Sequence, residues 1–172
     1  MEQTYFVLSK GKIKSLFWYF GILLFVGLAL TIYVLVNEMF IFKLNVTSLS
    51  LIGGIGMALL GSTIFYFRKL YKSAINNILN IPQNENDKIK ETGLYLYYFL
   101  RPIFSIVFAV LIHIGLKASV AIVTVKETNL DEGMIYLTMI VSFFIGFASG
   151  DVVTKLENIS KEIANKTIEK IT

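Results

Sequence analysis

The sequence predicts an all-α, polytopic membrane protein with four transmembrane helices and cytoplasmic amphipathic extensions. Three observations predict it. Of the 172 residues, 55% are hydrophobic and only 16% charged, against about 25% charged in ordinary soluble domains. The apolar residues gather in four runs, 15–36, 48–67, 102–125 and 133–150. Lysine and arginine fall on alternate sides of those runs, as in chains that set their orientation by positive charge. The length suits one membrane domain, 1–172.

The first run, Ser15 to Val36, is uncharged. At about 1.5 Å rise per residue it crosses a hydrocarbon core of about 30 Å. It is longer than the apolar centre of a cleaved signal and opens on Phe17, Trp18, Tyr19 and Phe20, so a retained helix is expected. The second run, Ser48 to Phe67, is also uncharged. The third, Pro102 to Val125, is interrupted only by His113 and Lys117, and the fourth, Gly133 to Gly150, is the shortest.

Thirteen of the sixteen Lys and Arg belong to the amino-terminal tail, the segment between runs two and three, Arg101, and the tail after run four; Lys43, Lys117 and Lys126 remain for the other side. The positive-inside rule then puts both termini and the middle loop in the cytoplasm, at the inner (cytoplasmic) membrane of a cell. Trp18, Tyr19, Tyr66, Tyr71, Tyr95, Tyr97 and Tyr98 fall near the same interface and are expected to form an aromatic belt. The net charge of +4 does not point to nucleic acid, because the basic residues flank the apolar runs.

Two stretches outside the runs have a helical period. In 68–80 the apolar positions are Leu70, Tyr71, Ala74, Ile75, Ile78 and Leu79, and Pro82 supplies a stop. The linker Gln83 to Glu91 is polar and expected to be mobile. In 151–172 Val152, Val153, Leu156, Ile159, Ile163, Ala164, Ile168 and Ile171 form one face, with Glu157–Lys161 and Glu162–Lys166 spaced four apart. Three homes are open to this tail, namely the 68–80 helix, the inner leaflet and other copies of the chain; its equal numbers of acidic and basic residues lack the cationic bias of a surface-binding helix, so packing against protein is expected.

Small residues mark expected helix contacts: Gly54, Ala58 and Ser62 in run two, and Ser142, Gly146 and Gly150 in run four. They serve either one four-helix bundle or contacts between subunits. In run three Ser105, Ala109, His113 and Lys117 recur every four residues. An ionisable group at that depth costs several kcal/mol, about 2.5–3.5 for lysine, unless it meets protein or water. Ser105, His113 and Lys117 therefore either line a polar conduit, or His113 hydrogen-bonds a neighbouring helix while Lys117 snorkels outward to Glu38, Asp131 or Glu132. Arg101, ahead of Pro102, is expected at the inner interface, as a lipid-facing anchor or paired with Asp151. The proline predicts a bend that separates Tyr95–Leu100 from the span.

Catalysis is not indicated. There is no cysteine and one histidine; no Ser-His-Asp set, paired carboxylates or metal-spaced ligands occur in the runs, and no cofactor is implied. Gly53-Gly54-Ile55-Gly56 lies inside an apolar span with no following Lys-Ser/Thr, so it is not a phosphate loop. Asn45-Val46-Thr47 carries no weight as a glycosylation acceptor.

The strings GSTIFYFRKLY, YYFLRPIFSIVFAV and FFIGFASGDVVTKLENI resemble a broad group of small, largely uncharacterised bacterial membrane proteins. The matching positions are Arg68 to Tyr71, Leu100 to Pro102 and Gly146 to Leu156. The resemblance implies four helices and a cytoplasmic amphipathic tail, and the layout is similar to that of membrane effectors beside prokaryotic antiviral systems. Two functions are expected from this sequence. The first is a homo-oligomeric pore or membrane-perturbing effector in the lipid bilayer. The second is a non-conducting scaffold or sensor subunit that holds a cytoplasmic partner through 68–80 and 151–172. A secondary transporter ranks behind both, since no internal repeat or paired broken helices are seen.

Overall fold

The computed structural model describes residues 6–39, 45–75, 79–80, 82–123 and 133–169. Expectations for the outer loop 126–132, for Lys43, and for Ile78 and Ile171 lie outside them. Each apolar run becomes one helix: α1 (Lys10–Met39), α2 (Val46–Ile75), α3 (Glu85–Val123) and α4 (Gly133–Glu169). All four are long and apolar enough to cross a membrane. Two short strands, β1 (Phe6–Val7) and β2 (Leu79–Asn80), pair in parallel at one end, here called basal.

The helix starts follow capping chemistry. The Ser9 carbonyl accepts Ile13 N–H, and the Asn45 carbonyl accepts the N–H groups of Ser48 and Leu49. Asn84 Oδ1 takes Asp87 N–H at 2.9 Å, and Asp87 takes Gln83 N–H at 3.2 Å. With Glu85 and Asp87 also meeting the positive helix end, α3 begins at Glu85. The expected linker 83–91 is thus mostly helix. Of the expected 68–80 helix, 68–75 belongs to α2, whereas Leu79–Asn80 is extended. Pro82 disfavours helical angles ahead of it, and β1 offers main-chain partners there. Of its apolar face Leu70 is buried, whereas Tyr71 and Ile75 are exposed.

Pro102 does not divide α3, which continues through it. A proline removes one helix hydrogen bond and crowds the carbonyl four residues back. Around this turn Tyr19 of α1 donates its hydroxyl to the Phe99 carbonyl at 2.9 Å, next to the Tyr98 carbonyl that loses its partner, and Ser105 donates to the Pro102 carbonyl at 2.6 Å.

The centre of the molecule is α2. It packs most extensively on α4, then on α1 and α3, while α1 and α3 meet only lightly near the basal end. The α2–α4 contact is backbone on backbone. A Cβ at Gly146 would fall on the Ala58 carbonyl, and one at Gly61 on the Phe143 carbonyl. A second close approach joins α1 and α2 where Gly27, which the small-residue pattern did not mark, meets Gly56. The outer sides of the helices carry Trp18, Phe25, Val107, Leu111, Ile140 and Phe144, all exposed.

At the basal end Leu8, Leu16, Phe20, Tyr66, Leu70 and Tyr98 form a core. The expected aromatic belt divides here. Trp18 is 69% exposed and suits an interface, but Tyr66 and Tyr98 are fully buried. Their rings pack edge to face with each other, with Phe65, Tyr97 and Phe20, so they hold helices together rather than meeting lipid. Each such pair contributes about 0.5–1.5 kcal/mol beyond its buried area.

Candidate functional site

Three polar levels lie along the seam between α2, α3 and α4. Nearest the apical end, Ser50 Oγ donates to Thr138 Oγ1 at 2.8 Å and lies 3.2 Å from His113 Nδ1. A hydroxyl has one hydrogen, and Ser50 gives it to Thr138. His113 Nδ1 therefore carries the proton of the second bond. One histidine thus ties α3 to α2 and, through Ser50, to α4. His113, Ser50 and Thr138 are all buried. At mid-depth Ser62 and Ser105 share a hydrogen bond of 3.0 Å, again buried. The sequence marked Ser105 and His113 without their partners, because any of a dozen small hydroxyls could have faced them. Lys117, one turn beyond His113, is exposed. The structure therefore unites Ser105 and His113 with α2 and leaves Lys117 apart.

The small residues also find places. Gly54 faces Thr138 and Ser142, Gly146 faces Ala58, and Gly150 faces Tyr66 and Arg101. Five of the six expected packing positions thus meet at or beside the α2–α4 contact inside one chain, while Ser62 turns to Ser105 on α3.

The basal level carries charge. Arg101 is 9% exposed. Its Nη1 donates to the carbonyls of Ser149 and Gly150 at 3.4 and 3.3 Å, and its guanidinium lies 4.4 Å from the centre of the Tyr97 ring. Two expectations are corrected here. Arg101 is not a lipid-facing anchor, and it is not paired with Asp151. Asp151 is exposed and forms no ion pair with any described residue. One residue past Gly150 it lies about 100° around the helix, so the arginine meets backbone instead. Lys69 of α2 also approaches Tyr97, 3.5 Å from its hydroxyl and 5.3 Å from its ring centre. Near them Tyr66 Oη and Ser149 Oγ are buried and make no well-formed hydrogen bond.

Further out, Glu91 accepts Ser9 N–H at 2.7 Å and pairs with Lys12 at 3.1 Å. This contact pins the segment before α1 onto α3, and nothing in the spacing of these residues announces it.

Past Gly150, α4 continues as one helix to Glu169. It does not turn back onto 68–75, as one expectation had it. Residues 154–156 and 158–162 are exposed, with Leu156 at 51% and Ile159 at 52%. No helix breaker follows Gly150, so the helix carries this stretch away from the bundle. Among the described residues no group of His, Cys, Asp and Glu could hold a metal ion. Comparisons with family models, with curated proteins and with solved structures find no match to this chain. The resemblance of the three strings stands on those strings alone.

Proposed function

We propose that the chain is a non-conducting membrane scaffold or sensor subunit, which anchors a projecting cytoplasmic helix and offers it to a protein partner. The observation that carries this reading is the far half of α4. From Gly150 to Glu169 it extends about 28 Å at 1.5 Å per residue, with Leu156 and Ile159 open. Val152, Leu156 and Ile159 are spaced four and three apart, which makes an apolar stripe suited to another helix. Its acidic and basic residues alternate, so it lacks the cationic bias of a helix lying on lipid.

The polar groups of α3 support the same reading. Ser105 and His113 spend their hydrogen bonds on Ser62 and Ser50, which leaves them serving cohesion. In this reading both termini and the β1–β2 end are cytoplasmic. The test replaces Leu156 and Ile159 with Asp in the full chain. Capture of cytoplasmic protein by the membrane-inserted chain is expected to be lost while insertion is kept. Unchanged capture refutes the proposal.

A homo-oligomeric pore or membrane-perturbing effector, as in antiviral defence, is the second reading. Lys117 favours it, since an exposed cation on an apolar helix face gains from a lumen shared by several copies. Ion flux through liposomes separates the two. The scaffold reading expects none, and His113→Leu and Lys117→Leu then change nothing in that assay. Flux that is altered by these substitutions supports the pore.

A further inference from the structure

Arg101 is a buried cation whose neighbours do not neutralise it. Neither it nor Lys69 takes part in the Lys12–Glu91 ion pair. Both converge on the Tyr97 ring. A guanidinium has five N–H donors, and Nη1 alone accounts for the bonds to the α4 carbonyls. Two buried hydroxyls beside them, Tyr66 Oη and Ser149 Oγ, face each other without a well-formed hydrogen bond. A group of donors with two positive charges and no carboxylate calls for an anion with several acceptor oxygens.

A groove lies further along the same pair of helices, lined by none of the cluster's own residues. It lies between α3 and α4, has a volume of about 420 Å³, and is lined by apolar groups that include Phe108, Ile112, Gly115, Val141 and Ile145. Phe108, Ile112 and Gly115 stand 7, 11 and 14 residues past Arg101. At about 100° per residue these offsets return to within about 40° of the same helix face. On α4, Ile145 precedes Ser149 by one turn. A charged, donor-rich end and an apolar trough are therefore in line along one membrane-spanning helix.

We propose that this is a binding site for an anionic glycerophospholipid. The phosphate sits on Arg101 and Lys69 beside Tyr97, and one acyl chain lies in the α3–α4 groove. The phosphate supplies the acceptors that the cluster lacks, and the hydrocarbon chain matches the trough. Arg101 lies just ahead of the apolar part of α3, at the depth where phosphates and aromatic rings meet in a bilayer. A free phosphate satisfies the charge but leaves the groove without a role, so the assignment is to lipid.

Native mass spectrometry of the full chain released from a non-ionic detergent tests this, with phosphatidylglycerol as the probe. The wild-type chain is expected to retain phosphatidylglycerol about tenfold better than diacylglycerol of the same chains, the scale of one charge-assisted hydrogen bond. Gly115 has open space around it, so Gly115→Phe fills the groove without touching Arg101. It is expected to weaken phosphatidylglycerol retention about tenfold at unchanged thermal stability, because a buried acyl segment of even two methylenes is worth that much. Lys69→Met, which leaves the α4 carbonyl bonds in place, is expected to weaken it severalfold and to leave diacylglycerol unaffected. Equal retention of the two lipids overturns the site, as does wild-type retention in both variants. Displacement of phosphatidylglycerol by inorganic phosphate overturns the lipid and assigns the cluster to a soluble anion.

Discussion

At Glu91 a side chain only 7% exposed carries the join between the amino-terminal segment and α3. It lies ahead of the apolar part of α3, at the basal end. The hydrogen bond from Ser9 first, and the Lys12 ammonium after it, hold its carboxyl below the usual carboxylate range, against the burial that raises it. A carboxylate whose pKa is lower folded than unfolded stabilises the folded form above the unfolded value, and that contribution fades as the pH falls through the folded one. The segment 6–9 is thus held firmly at neutral pH and released at pH below about 4, the ordinary range of glutamate. Amide hydrogen exchange at Ser9 measures this directly. Protection is expected to be flat from pH 7 to 5 and to drop in more acidic buffer, after correction for intrinsic exchange. Glu91→Gln keeps an acceptor for Ser9 but not the charge for Lys12, which is partly exposed at 35%. It is expected to lower protection at pH 7 by about 1 kcal/mol or less and to abolish the pH dependence. Protection that still falls with acid in Glu91→Gln assigns the titration to another group.

For the helices, what could be read beforehand follows from which forces act locally. Length and apolarity located all four spans, because a bilayer selects on little else. Gly54, Ala58, Ser142, Gly146 and Gly150 were legible as packing positions, since small side chains are what lets backbones touch in lipid. Their pairing was not, because Gly146 against Ala58 depends on the relative rotation of two helices. The passage of α3 through Pro102 was also hidden: a proline ends a helix or not according to the packing around it, and the Tyr19 hydroxyl that meets the Phe99 carbonyl comes from α1, far off in the sequence. Two-residue strands carry no periodicity, so β1 and β2 left no sign. The bonds from Arg101 to Ser149 and Gly150 end on carbonyls, which every residue has. The same logic yields a prediction for α4. Gly146→Ala puts a Cβ onto the Ala58 carbonyl, which a backbone cannot easily vacate. A loss of about 1–3 kcal/mol is expected from overpacking, read as an earlier unfolding midpoint in denaturing detergent. Gly21 has nothing within 4 Å, so Gly21→Ala is expected to raise stability by up to about 1 kcal/mol through helix propensity. Equal effects of the two substitutions refute a backbone contact at Gly146.

Taken whole, the molecule has an asymmetric length. The helices α3 and α4 hold 39 and 37 residues, about 55 Å or more at 1.5 Å per residue, against a hydrocarbon core of about 30 Å. The excess lies at the basal end in both, since α3 begins and α4 finishes there, and β1 and β2 join the same end. An even number of crossings returns the chain to its starting side, so Ser9, Gln83 and Ser160 should all share a compartment. By the positive-inside rule the concentration of Lys and Arg at that end is what supports the proposed cytoplasmic side. The chain has no cysteine, so single cysteines report without background. Asn45, Gln83 and Ser160 are all exposed. In intact cells a membrane-impermeant maleimide is expected to label Asn45→Cys, and to label Gln83→Cys and Ser160→Cys only after the membrane is opened. The reverse pattern inverts the orientation while leaving the bundle as described. Labelling of Gln83→Cys without Ser160→Cys breaks the four-crossing arrangement itself, because α4 then fails to return to the side on which α3 begins.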